Sequence, residues 1–144
     1  MITQLPDDFR FGGPEMQLCT LAIRIAELAE RFGFTLIHYD DDGLGHAASM
    51  FVRLESGRAL FLTEHAHAVN HLGSKGPVVE VDARDIAEID VEPFVDEVVK
   101  AFQLSREDVD WIAPIDKARA LDWIRHWADY FAKQGQGRDG ESLK

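Results

Sequence analysis

The sequence predicts an α+β fold: an antiparallel meander sheet of about four strands, packed by an N-terminal helix and by C-terminal helices. Three observations predict it. Phe34 to Thr63 holds three short strand-like runs separated by two turn signals, which suits consecutive antiparallel strands rather than strands joined by helical crossovers. Before that stretch, apolar residues recur at spacings of three and four. After it, the same helical spacing returns in two further segments. At 144 residues, with 46% apolar and 28% charged residues, the chain has the length and composition of one domain with its own core.

Taken in order, Phe11-Gly12-Gly13-Pro14 reads as a flexible entry with Pro near a first helical position. Leu18, Leu21, Ala22, Ile25, Leu28, Ala29 and Phe32 mark one face of an amphipathic helix, and Gly33 stands where a helix ends. Phe34 to Tyr39 is the first strand, broken by Asp40-Asp41-Asp42-Gly43-Leu44-Gly45. Ala47 to Glu55 and Arg58 to Thr63 are the second and third. A two-residue loop at Ser56-Gly57 sets Glu55 opposite Arg58. It turns Met50, Val52, Leu54, Ala59 and Phe61 toward the helices and leaves Phe51, Arg53, Leu60 and Leu62 on the other face. A loop one residue longer flips that assignment.

Thr63 can cap a short helix from Glu64 to Leu72, closed by Gly73. Val78 to Val81 is the fourth strand, and Arg84 to Asp90 fits a helical turn or a strand. Glu92 to Phe102 has helical spacing, with Pro93 in the first turn. Ser105-Arg106-Glu107-Asp108 resembles a capping start and opens a short helix that ends before Pro114. The last helix starts at Asp116, with Ala120, Ile124, Trp127, Ala128 and Phe131 as its stripe and Trp123 and Tyr130 alongside. Residues 1–133 form the domain, and the Gly-rich, polar 134–144 is a flexible tail.

Net charge is −11, which repels nucleic acid and anionic membrane and favours a cationic partner. Met1 to Gly13 lacks the apolar core and basic leader of a signal peptide, and no run approaches a membrane span. The one cysteine, Cys19, excludes an internal disulfide, and in an apolar pattern it reads as a buried, inert thiol. A reducing cytoplasm is the expected compartment.

Two constellations could carry function. Glu64, His67 and His71 share one face of the expected short helix. His67 and His71 are the credible pair of metal ligands, because Glu64 and His71 lie roughly 10 Å apart along the axis. His38, His46 or Asp40 to Asp42 would have to complete such a site. A divalent metal there would support a metal-dependent enzyme; otherwise no cofactor is expected. The second constellation is acidic. Glu80, Asp82, Asp85, Glu88, Asp90, Glu92, Asp96 and Glu97 stand within eighteen residues with Arg84 as the one base, so this window carries −7. Asp82, Asp85, Glu88, Asp90, Glu92 and Asp96 are the expected contact surface for a basic protein partner, because opposite fields steer encounter. The tryptophan-bearing last helix reads as core, with a homodimer or partner surface as its other use. No serine or cysteine sits in a nucleophile context.

In size and acidity the chain is similar to bacterial toxin-immunity proteins and to the small acidic chaperones of secretion systems, and its helix-then-three-strands start is loosely similar to that of the chaperones. The likeness is one of size, charge and architecture, and it implies a non-catalytic inhibitor or escort.

Overall fold

The structure, a computed structural model, describes residues 1–41, 45–66 and 76–142, with side chains at 1–40, 45–66 and 76–134. The class is α+β, as expected, but the sheet is larger than a four-stranded meander. Among the described residues seven strands, all antiparallel where paired, form one sheet: β1 (Thr3–Gln4), β2 (Glu15–Leu21), β3 (Ile37–Asp41), β4 (Gly45–Arg53), β5 (Ala59–His65), β6 (Val78–Asp82) and β7 (Val109–Ile112). The spatial order is β1-β4-β5-β6-β2-β7. Strand β3 also pairs with β4, through Ile37↔Ser49 to Asp41↔Gly45, while β1 pairs with Gln4↔Val52 and Thr3↔Arg53. Strands β3 and β1 therefore lie end to end along one edge of β4.

The helices are α1 (Ile25–Phe32), α2 (Ala83–Ile89), α3 (Val91–Ala101) and α4 (Lys117–Ser142). Residues 134–142 of the expected tail thus have helical backbone. The expected helix through Leu18 to Phe32 is half strand: Glu15–Leu21 is β2, and the helix starts only at Ile25. The misreading has a physical cause. A register shift between Gln17 and Cys19 breaks the alternation, and Leu18, Cys19, Thr20 and Leu21 are all fully buried. A strand covered on both faces shows no two-residue period. The turn at Ser105 behaves similarly: its capping box is present, but only Arg106–Asp108 is helical, as a 3₁₀ turn, and Val109–Ile112 is strand rather than helix.

The β4–β5 hairpin uses the longer loop. Arg53 faces Ala59, the Leu54 amide donates to Arg58 O at 2.8 Å, and Gly57 at φ 95° donates to Leu54 O at 2.9 Å. That is a three-residue connection with a left-handed glycine, so the faces expected from a two-residue loop are exchanged at β5. Met50, Val52 and Leu54 now share a face with Leu60 and Leu62, and all five are buried. Val79 and Val81 continue that face, and α1 and α3 pack on it through Ile25, Leu28, Phe94, Val95 and Val98. On the opposite face, the Phe51 and Phe61 rings meet tilted, with centroids 4.5 Å apart, and Phe9 and Phe11 of the N-terminal segment close over Phe51 in edge-on contacts.

Helix α4 packs against α2. Ala120 is fully buried, Ile124 and Trp127 are half-buried, and by Phe131 the side chain is 52% exposed. The apolar stripe of α4 outlasts the body it packs on.

Candidate interaction surface

The expected histidine site falls on residues the structure does not describe: His67 and His71 lie within 67–75. The start of their expected helix is corrected, because Glu64 and His65 end strand β5. Glu64 is already committed. It points to the helical face of the sheet, accepts from the Ile25 amide at 3.1 Å, and holds the Arg24 guanidinium at 3.1 and 3.0 Å. Arg24 gives α1 no side-chain cap of its own, so the carboxylate from β5 takes that place at the positive end of the helix. Glu64 is therefore not free to ligate an ion. Among the described residues, no group of three or more His, Cys, Asp or Glu converges as a metal site. His38 Nδ1 and His46 Nε2 do meet, 2.9 Å apart across the β3–β4 hairpin. Their rings are tilted by only 19° with centroids 5.1 Å apart, so with nitrogens this close they touch edge to edge and share one N–H···N bond. Asp40 lies 3.9 Å from the other nitrogen of His46.

The acidic window is largely answered by arginine. Asp82 is 5% exposed; its carboxylate accepts from the Gly13 amide at 3.1 Å and from Arg84 Nη2 at 2.7 Å. Burial pushes its pKa up, but the Arg84 side chain and the amides of Arg84 and Gly13 outweigh that and hold it below the usual range. Arg58 bridges Glu88 at 2.6 Å and Glu97 at 3.2 Å. Arg106 bridges Glu92 and Asp96, each at 2.7 Å. Asp90 joins α2 to α3: its amide donates to Ile86 O, and its carboxylate accepts from the Val91 amide at 2.8 Å. Asp85 is half-buried, and burial, then Asp82, raises its pKa. Of the six acids expected to meet a partner, Asp82 is thus a buried structural group, and Glu88, Glu92 and Asp96 would meet a foreign cation in competition with Arg58 or Arg106.

One carboxylate pair stands apart. Glu15 on β2 and Glu80 on β6 are diagonal neighbours in the β2–β6 register, and among the described residues no ion pair joins either to a base. Burial, then Glu15, pushes the Glu80 pKa up to about 7. Sequence reasoning missed this pair, because Glu15 was not placed in a strand; Gln17↔Glu80 in the β2–β6 register brings it there.

Beside this pair lies a groove of about 300 Å³ between β2, β7 and the start of α4. Trp111, Trp123, Met16 and Ile115 wall it, with Glu15 and Gln17 at its rim. Along α4 the apolar arc continues in the open: Trp123 is 43% exposed, Tyr130 55% and Phe131 52%. Trp127 and Phe131 rings contact at 4.8 Å, and Tyr130 meets Phe131 edge-on. All four are large aromatic side chains, of the kind enriched in protein interfaces. Cys19 is no part of any site: it is buried on β2, and burial pushes its thiol up to about 12, so it holds little nucleophilic thiolate at neutral pH. No helix among the described residues is long and apolar enough to cross a membrane. The chain matches no protein-family model, no curated protein and no solved structure.

Proposed function

We propose that this chain is a small acidic, non-catalytic binding module of the cytoplasm, an inhibitor or escort that covers a basic surface of a partner protein through α4. The observation that carries the reading is the exposed aromatic arc of that helix, Trp123, Tyr130 and Phe131, set against an acidic body. The charge division supports it. Residues 1–116 hold 9 Lys and Arg against 22 Asp and Glu, a balance of −13, whereas residues 117–144 hold 6 against 4, a balance of +2. A partner with an apolar patch ringed by Lys and Arg meets the arc by its patch and the body by its charges. The acids of the 80–97 window then act as a field rather than as individual contacts, since most of them already hold an arginine.

The test uses an amphipathic Lys/Leu helical peptide as a probe, followed by tryptophan fluorescence. Binding should weaken about tenfold or more with added salt, because the steering is electrostatic. The double variant Tyr130→Ser/Phe131→Ser should lose binding while keeping the melting temperature, since both side chains are already half in water. Binding indifferent to salt and to the double variant would overturn the reading. A mass that doubles with concentration in sedimentation, and returns to monomer in the same variant, would assign the arc to a second copy of the chain instead.

A further inference from the structure

Several clefts open among the described residues around the body. The 460 Å³ cleft by Leu54 and Lys100 contains Glu55, paired to the N-terminus, and Glu97, paired to Arg58. The 570 Å³ cleft by Val91 and Pro114 contains Glu92, paired to Arg106. The acids of these two clefts are occupied: Glu55, Glu97 and Glu92 by cations, and Asp90 and Asp116 of the second by the Val91 and Arg119 amides. The smaller groove between β2, β7 and α4 differs in that its acid, Glu15, stands next to a second acid, Glu80, across the β2–β6 register and in no ion pair with a base among the described residues.

We propose that this groove receives a single Lys or Arg side chain of the partner, its methylene stem between Trp111 and Trp123 and its cationic head on the Glu15 and Glu80 carboxylates. The inference rests on the reading that the chain binds a basic protein, and it names where one of that protein's cations goes. The walls suit the stem: two indoles, a methionine and an isoleucine cover apolar methylenes, and an indole face attracts a cation. The volume admits one long side chain with water to spare. Charge complementarity picks the occupant, because a cation can pair with two neighbouring carboxylates, Glu15 in the groove lining and Glu80 diagonally across the β2–β6 register. Trp123 belongs to both the groove and the exposed arc, so a partner lying along α4 passes the mouth of the groove.

A proton should leave as the cation arrives. Around Glu80 the charged neighbour is Glu15; Gln17 and Phe61 flank it from β2 and β5. Asp82, opposite Glu15, is held by Arg84, and Asp110 on β7 accepts from Thr20. Helix α4 brings Arg119, Asp122 and His126 to the adjoining cleft with Trp123. Glu80 is thus partly protonated near neutrality and must ionise to receive the guest, so affinity rises with pH through about 7.

The experiment titrates the full chain with N-acetyl-arginine amide and N-acetyl-lysine amide, with N-acetyl-citrulline amide as the neutral match, and follows the three indole N–H resonances. The expected result is a saturable shift of Trp111 and Trp123 with the two cations, no comparable shift of Trp127, and none with the citrulline amide. Affinity should be several-fold higher at pH 8 than at pH 6, and Glu15→Gln and Glu80→Gln should each weaken it several-fold and flatten that difference. Equal shifts from the citrulline amide, silent indoles, or equal affinity at the two pH values would overturn the proposal. If the groove fails in this way while the Lys/Leu peptide still needs Tyr130 and Phe131, the pocket alone is lost and the docking reading stands.

Discussion

Glu80 shows how a single strand position sets a measurable property. In the unfolded chain its carboxyl has the ordinary value of 4.5, and in the fold burial and Glu15 push it up to about 7. Between those values the folded state holds more protons than the unfolded one, so stability falls as pH rises and levels off above about 7. Glu80→Gln should therefore raise the melting temperature at pH 8 and make no difference near pH 4. A variant less stable than the parent at pH 8 would contradict the assignment. Asp82 runs the opposite way: its lowered value stabilises the fold above the ordinary carboxylate range and is lost only in strong acid. Gly76 is a purely steric case. A β-carbon there would collide with the carbonyl of Leu21, whose amide is bonded to Pro77 O at 3.0 Å. Gly76→Ala should cost on the order of 3 kcal/mol in urea unfolding, because backbone rather than a mobile side chain must move.

At the scale of elements, the join between β5 and α1 depends on one buried carboxylate. Glu64→Ala leaves the Ile25 amide and the Arg24 guanidinium without their acceptor, and should destabilise by about 1–3 kcal/mol with unchanged fold by circular dichroism. A loss no larger than for an exposed Glu30→Ala control would remove Glu64 from that role. Which elements were legible follows from the same physics. Amphipathic α3, with Phe94, Val95 and Val98 on one face, and the aliphatic strand β6 are as the spacing predicts, because each buries one face or a short run. Strands β2 and β7 were not, since Leu18 to Leu21 carry no alternation once both faces are covered, and β7 is four residues long after a capping turn. The candidate groove needs both of those strands. Trp123 could be singled out from sequence, but its neighbours Glu15 and Trp111 come from the two elements that periodicity does not reveal. The acidic window was plain in the sequence; its arginine partners were not, because Arg58 and Arg106 reach it from β5's turn and from the turn before β7.

For the molecule as a whole, strand order matters beyond the site it builds. Strand β2 is completed at Leu21, yet the strands on its two sides, β6 and β7, end only at Asp82 and Ile112. At about 5–20 residues per second, translation needs several seconds to deliver them. Until Asp82 has been made β2 has neither of its neighbours, and until Ile112 has been made the margin that meets β7 has no partner strand. Closure waits on contacts far apart along the chain, which slows folding and lengthens the exposure. The nascent polypeptide must therefore shelter the buried side chains of β2 until β7 has been made.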